Sequence, residues 1–425
     1  MIKQAFKRLW NDKRGNALII AGASLPLVVG SAGLASDTIQ WALWKRQLQR
    51  AADSAALAGV YDRLYRNGST ANVAAAINDD LTRHDHTKPA LLGTPGVDHP
   101  TGINWTNPVR VTLNIREKLS FSSFFMPSPP IITAQATGAA VATGVYCVVS
   151  LIDTGATGIR ATGNGSINLG CGMITNSTSL TAAIATGSSQ VDATPVAAVG
   201  DIQDSNNWGG AALLPFTVKQ KDPYSEVQIP TFAACKGNSN SISVNPNQTP
   251  VNRTSDLAGS VQCVSSMNVN GTLMLGSATY VIDGGNFSAG AQANISCTGC
   301  TIILTNSASG TPTIGTVDIN GGAKIVMSAP STGTFDGILF YQDRRAPVSA
   351  TVVNKINGNS DSELGGAFYF PNQQIQVNGN AGLDITCGQF VSYIIEFAGN
   401  GSINNTCTGG YGNNRIMGNH VRLVA

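Results

Sequence analysis

The chain has 425 residues, 12% of them charged and 47 of them Gly, with a formal net charge of +2. Setting aside the first 14 residues leaves 21 basic against 23 acidic side chains, a balance that gives no reason to expect a nucleic-acid partner. That length exceeds one small core and predicts two domains beyond any anchor.

Lys3, Lys7, Arg8, Lys13 and Arg14 precede 22 uncharged residues, GNALIIAGASLPLVVGSAGLAS, that end at Asp37. As a helix this run reaches about 33 Å, enough to cross a hydrocarbon core of about 30 Å. It exceeds the apolar core of a cleaved secretory signal, so residues 15–36 are expected to stay as a transmembrane helix. Basic residues stay cytoplasmic, which places the N-terminus inside and the rest of the chain outside the cytoplasm.

From Asp37 to Asn67 the chain holds no Pro and should continue as helix. Trp41, Trp44, Leu48, Ala51, Ala55 and Ala58 recur at alternating intervals of 3 and 4 and line one face. Its Ala end suits close packing, against a sheet of the same domain or against a neighbouring subunit. Asn67-Gly68 should end the helix, with Ser69 or Thr70 capping a second one to about Arg83. His84 and His86 then sit near that helix's last carbonyls, where a cation is favourable without any ligand role. Val109, Val111, Leu113 and Ile115 alternate as a strand, and residues 131–141 form another extended stretch after the break at 127–130. Residues 37–145 therefore read as a small membrane-proximal α+β module.

The series NDKRGNALII, the apolar run with Pro26, and RAADSAALAG resembles the N-terminal module of the Flp (Tad) pilus-assembly TadE/TadG-like proteins, most closely over residues 10–65. The resemblance implies a bacterial inner-membrane protein with a periplasmic C-terminal region. It also implies a structural or accessory role in pilus assembly, with other pilus-assembly proteins and the membrane as partners; self-association through the N-terminal helix is the alternative that the Ala end of the face leaves open. Prepilins of that system carry Glu five residues after the cleaved Gly; Ile20 stands five after Gly15, so that processing is not expected. Some relatives carry a von Willebrand A metal site, D-x-S-x-S. Here Asp153 and Thr157 flank Gly155, which lacks the middle hydroxyl, so a strand-to-turn reading is preferred.

All eight cysteines, Cys147, Cys171, Cys235, Cys263, Cys297, Cys300, Cys387 and Cys407, follow residue 146 and predict disulfides in an oxidising compartment. Eight cysteines allow 105 pairings; chain proximity favours Cys147 with Cys171, Cys235 with Cys263, Cys297 with Cys300, and Cys387 with Cys407. Cys297 and Cys300 lack the second CxxC or His pair that a zinc site needs, and no metal or cofactor is expected.

Past residue 145 the chain repeats Gly or Asn corners followed by alternating apolar residues: GNGSINLG at Gly163, NGTLMLG at Asn270, NGGAKIVM at Asn320, NGNAGLDI at Asn378 and GNGSINN at Gly399. Rungs of a solenoid fit this pattern. The all-β domain, 146–425, is expected as a right-handed parallel β-helix, with an irregular β-sandwich as the alternative. Residues 200–262, rich in Pro, Asn and Ser, read as an insertion between two groups of rungs.

β-Helices also host polysaccharide-binding and polysaccharide-cleaving proteins, the rival functional class. Asp336, Asp343, Arg344 and Arg345 form the densest charged group of this half, yet an Asp beside Gly is commonly a turn residue. No Ser-His-Asp signature, P-loop or dinucleotide fingerprint occurs, and the expectation is a protein that is not an enzyme.

Overall fold

The computed structural model describes residues 14–83, 91–408, 410 and 414–424. The expectations for Lys3, Lys7, Arg8, Lys13, His84 and His86 lie outside these residues. The chain clusters into two units, one running to Val141 and joined by Val421–Ala425, the other spanning Ala142–His420.

In the first unit, α1 (Arg14–Tyr65) runs 52 residues with Pro26 inside it, about 78 Å of helix. Its lower part is apolar and uncovered: Leu25, Leu27, Val28, Val29 and Leu34 are each more than half exposed. Such a largely uncovered apolar stretch has the composition of a membrane-spanning helix. Among the described residues it is the one helix long and apolar enough to cross a membrane.

The upper part of α1 is core. Leu48, Ala51, Ala52, Ala55, Ala56 and Val60 are fully buried. Asn67 and Gly68 follow at φ 53° and 84°, the left-handed turn that stops a helix. The second helix, α2 (Val73–Thr82), buries Val73, Ile77 and Leu81; Asn72 rather than Ser69 or Thr70 stands at its N-cap, without a side-chain capping bond. Three antiparallel strands complete the unit: β1 (Gly96–Asp98), β2 (Trp105–Arg116) and the first part of β3 (Ile131–Ser150). The alternation in β2 buries Val109, Val111, Leu113 and Ile115. From the end of the chain, the Val424 N–H donates to the Thr137 carbonyl at 2.8 Å.

The second unit is a large β-rich region whose described strand pairings are all parallel, in three ladders. The first ladder brings Val261–Val264, Thr279–Asp283, Thr301–Thr305 and Ile338–Gln342 side by side. It continues through parts of Glu363–Ala381 and Leu383–Ala398, the end of β3, Gly172–Thr175, Val196–Ala198 and Leu213–Leu214. One side of this ladder stacks Tyr280, Ile302, Phe340, Phe368, Phe390, Val148, Met173 and Val196 in register, all fully buried. The rings of Phe340, Phe368 and Phe390 lie 5.7 and 5.1 Å apart in sequence along this row.

Strand order departs from chain order at one place. The end of β3 pairs with Leu383–Ala398 on one side and Gly172–Thr175 on the other. The chain therefore enters the stack in the middle, builds to one end at Leu213–Leu214, returns, and starts the other end at Ile242–Val244. Two of the repeated motifs meet at the junction: Ile403 and Asn404 pair with Ile167 and Asn168. A Cβ on Gly163, at φ +93°, would fall 2.5 Å from the Gly399 carbonyl oxygen, so the corner needs glycine. The stretch expected as an insertion at 200–262 supplies four strands of the stack, Leu213–Leu214 at one end and Ile242–Val244, Val251–Arg253 and Val261–Val264 towards the other. Its remainder is the return path.

Candidate functional site

The helix face predicted from spacing divides between two environments. Trp41 is 43% exposed and Trp44 half-buried, whereas Leu48, Ala51 and Ala55 are fully buried and Ala58 is half-buried. Small residues let the sheet press onto the helix. A Cβ on Gly59 would stand 2.8 Å from Val109 Cγ1, and one on Gly138 of β3 would stand 3.1 Å from the Ala56 carbonyl oxygen. Side chains fix the same contact, Gln49 Nε2 donating to the Gln135 carbonyl at 2.9 Å and Lys45 Nζ to the Thr133 carbonyl, while Ser54 Oγ ties α1 to α2 by donating to Asp80 at 2.9 Å. The Ala stripe is thus covered by its own unit; α1 leaves exposed its apolar lower part with Trp41 and, higher up, a face carrying Arg46, Gln47, Arg50, Tyr61 and Tyr65.

In the second unit the charged group near residue 343 is used structurally. Outside the first ladder's strands lies a second row: Cys263, Val281, Ile303, Tyr341, Tyr369, Val391, Val149, Ile174 and Ala197. Residues of the return path, Tyr224, Val227, Ile229 and Phe232, pack on this row as a strap. Arg344 holds the strap: its Nη1 donates to the Val227 carbonyl at 3.1 Å, its Nη2 to the Tyr224 carbonyl, and its Nε to the Tyr369 hydroxyl at 2.8 Å. Burial, opposed in part by the Arg344 charge, pushes the Tyr341 hydroxyl up to about 12.

Asp343 is buried and accepts from Thr305 Oγ1 at 2.6 Å, the Arg345 N–H at 2.8 Å and Arg345 Nη2 at 2.7 Å. Burial alone would raise its pKa; the Arg345 guanidinium, the Thr305 hydroxyl and the Arg345 N–H outweigh it and hold the carboxyl below the ordinary range. Asp336 is half-buried at the other end of the strand Ile338–Gln342, about 17 Å of extended chain away. The structure does not bring these two carboxylates together. Asp153 pairs instead with Lys219 at 2.8 Å, and His99 Nδ1 lies 3.0 Å from the Pro108 carbonyl oxygen.

Spacing arguments missed a polar row on another ladder, the one that runs through Lys324–Ser328, the starts of Glu363–Ala381 and Leu383–Ala398, Ile403–Thr406, Ser166–Asn168 and Gln190–Asp192. Glu363, Asp384, Asn404, Asn168 and Asp192 occupy successive register positions and line an open groove of about 880 Å³ with Lys324. Asn168 donates to Asn404 at 2.9 Å and Asn404 donates to Asp384 at 3.1 Å. The signal was a polar residue at the same place in each repeat, hidden because the 168 and 404 rungs are neighbours only through the crossover.

The cysteines lie in four pairs at disulfide distance. Cα separations are 5.8 Å for Cys147 and Cys171, 5.9 Å for Cys235 and Cys263, 6.2 Å for Cys297 and Cys300, and 4.3 Å for Cys387 and Cys407. Asp283 approaches the Cys235–Cys263 pair. Its carboxylate already accepts the Cys235 N–H at 3.1 Å and the Ser307 N–H at 2.6 Å, and the two sulfurs face each other.

Residues 15–64 match the family model described as putative Flp pilus-assembly TadE/G-like, a span that coincides with α1. No curated protein and no solved structure matches the chain.

Proposed function

We propose that this protein is a structural, non-enzymatic component of Flp-type pilus assembly in the bacterial inner membrane. The observation that carries the reading is the family match, because it falls on the same helix whose lower part is apolar and largely uncovered. In this reading the basic N-terminal segment stays in the cytoplasm, residues 15–36 span the bilayer, and both units lie in the periplasm, where the four cysteine pairs are oxidised. The protein acts by binding other pilus-assembly proteins and by self-association along the free part of α1. The second unit is a right-handed parallel β-helix, a reading supported by three ladders whose described strands pair in parallel from rung to rung, with local register shifts at Glu363–Ala381 and β3.

Absence of turnover is favoured by the separation of Asp336 from Asp343 and by the occupied hydrogen-bonding capacity of Asp343. One observation favours the rival reading, an envelope polysaccharide-binding or polysaccharide-cleaving protein: the polar groove along Glu363, Asp384 and Asp192. Deleting the gene and counting filaments by electron microscopy tests the first reading. Filaments should be lost, restored by the full chain, and not restored by a chain whose residues 15–64 are exchanged for an unrelated single-span anchor. Full restoration by the exchanged chain would overturn the pilus role of this helix and turn attention to the groove, which purified envelope glycans would then probe.

A further inference from the structure

The last turn of the apolar run on α1 is met by a loop from the sheet of its own unit. Residues 117–130, EKLSFSSFFMPSPP, join β2 to β3 and carry no charge after Glu117 and Lys118. Three levels of α1 hold this loop. At Gly33 an added Cβ would fall 2.3 Å from Phe121 Cδ2, so the ring lies directly on the helix backbone. Asp37, 4% exposed, accepts the Phe121 N–H at 2.9 Å and the Ser122 N–H at 2.5 Å, together with the Ser122 hydroxyl. Gln40 Nε2 donates to Ser120 Oγ at 2.8 Å.

These contacts fix the height of the loop along the helix. Gly33 belongs to the uncharged run and lies about 6 Å to the bilayer side of Asp37, the residue that ends it. Phe121 therefore stands at the level of the membrane-spanning residues. The Phe125 ring lies 5.3 Å from Phe121. Phe125 is 74% exposed, Phe124 83% and Met126 44%, an apolar tip with no protein over it. Lys118 stands at the loop's start, where a long side chain can leave its stem in apolar surroundings and carry its ammonium to a phosphate.

We infer that this loop is a second membrane contact, with Phe124, Phe125 and Met126 seated in the headgroup and acyl boundary of the leaflet from which α1 emerges. The inference rests on reading α1 as a membrane span. Lipid is the occupant because the apolar tip is continuous, through Phe125, Phe121 and Gly33, with the surface that the bilayer already covers. A depth of about 5 to 10 Å is what interfacial apolar groups reach. Two contacts, helix and loop, would fix the orientation of the unit on the membrane where a helix alone leaves it free to swivel.

The test uses the full chain in liposomes of phosphatidylethanolamine and phosphatidylglycerol, with one environment-sensitive fluorophore on an introduced thiol at Leu27→Cys, Phe124→Cys or Ile103→Cys. The described natural cysteines are all paired, which leaves the new thiol for labelling. Ile103 is 89% exposed and precedes β2, about 40 Å of strand from the loop. Lipid carrying a nitroxide near the methyl end of its chains should extinguish most of the emission at position 27, lipid carrying it near the ester end most of the emission at position 124, and neither much at 103. Emission lost at 27 but retained at 124 would overturn the loop contact while leaving the span intact, and would indicate a protein partner for the tip. Retention at both positions would remove the span and the loop contact together.

Discussion

Arg344 and Tyr369 form the centre of the clamp on the strap: the guanidinium Nε donates to the phenolic oxygen at 2.8 Å, and that hydroxyl donates to Asp222 at 2.7 Å. Asp222 belongs to the strap and Tyr369 to the stack beneath it, so one arginine closes a bridge between segments far apart in sequence. Its guanidinium also lies over the Tyr341 and Tyr369 rings, at 5.8 and 5.6 Å from their centroids.

Arg344→Ala should therefore loosen the strap before it unfolds the stack. Charge-assisted hydrogen bonds of this kind contribute about 1.5 to 3 kcal/mol, and partial exposure of the side chain points to the lower end. Trypsin offers a local readout, since Lys219 and Lys221 begin the strap. The variant should be cut there faster than the wild type while the rest of the second unit resists. Arg344→Lys should recover little, because a single ammonium cannot serve two carbonyls and a phenol in fork geometry. Unchanged cleavage would mean that Tyr224, Val227, Ile229 and Phe232 hold the strap by apolar contact alone.

Acid should weaken the second unit in a defined direction. Asp343 and Asp283 are both held below the ordinary carboxylate range; burial opposes this at each site and is outweighed, at Asp283 by the N–H groups of Ser307 and Cys235. A carboxyl whose folded pKa is depressed contributes stability above its unfolded value, near 3.8 here, and loses it as pH falls through the folded value. Denaturation midpoints should accordingly hold above about pH 4 and drop below it. In Asp343→Asn the acid limb should be shallower and the stability at neutral pH lower. An equal slope in wild type and variant would remove Asp343 from the account.

Much of this fold was legible because its signals are local. The apolar run, the Asn67-Gly68 stop and the alternation from Val109 to Ile115 each act over a few residues, and each has its counterpart in the structure. Corner motifs at Gly163 and Gly399 were legible as repeats. Their stacking on one another was not, because nothing in either motif says which copy is its neighbour, and loop closure tolerates a long return path at small extra cost. The strap was obscured for the same reason: Tyr224 and Val227 read as loop residues until the row they cover is assembled from distant rungs. Asp343 and Arg345 were visible as a charged group, but only three-dimensional contact with Thr305 reveals a structural use.

Loss of individual cysteine pairs should follow loop length. In the chain-entropy picture the Cys235–Cys263 bridge, with a sequence separation of 28, contributes about 3.5 kcal/mol. Cys297–Cys300, with a separation of 3, contributes about half of that. Paired Ser substitutions, compared by urea denaturation, should rank in that order, and the first pair should also free the strap's end to proteolysis. Peptide mapping without reductant checks the pairing itself. Free thiols throughout protein recovered from the envelope would contradict an oxidising compartment.

Substitutions along α1 should separate folding from assembly. Gly59→Ala places a Cβ 2.8 Å from Val109 Cγ1, and Ala55→Trp forces a large ring into a fully buried position. Overpacking at such sites costs about 1 to 3 kcal/mol for a small excess and more for a ring. Both should lower the amount of folded protein, with Ala55→Trp the worse, and any loss of pili should track that amount. Trp41 is different, being exposed beside the end of the apolar run. Trp41→Ala should leave the unfolding free energy of the purified chain, read by urea denaturation, within about 0.5 kcal/mol of wild type, as exposed positions do. If Trp41→Ala nevertheless removes filaments at normal protein level, the free surface of α1 is where a partner binds. If filaments survive Trp41→Ala and are lost only in step with folded protein in the buried variants, the helix supports its own unit and the assembly contact lies elsewhere on the chain.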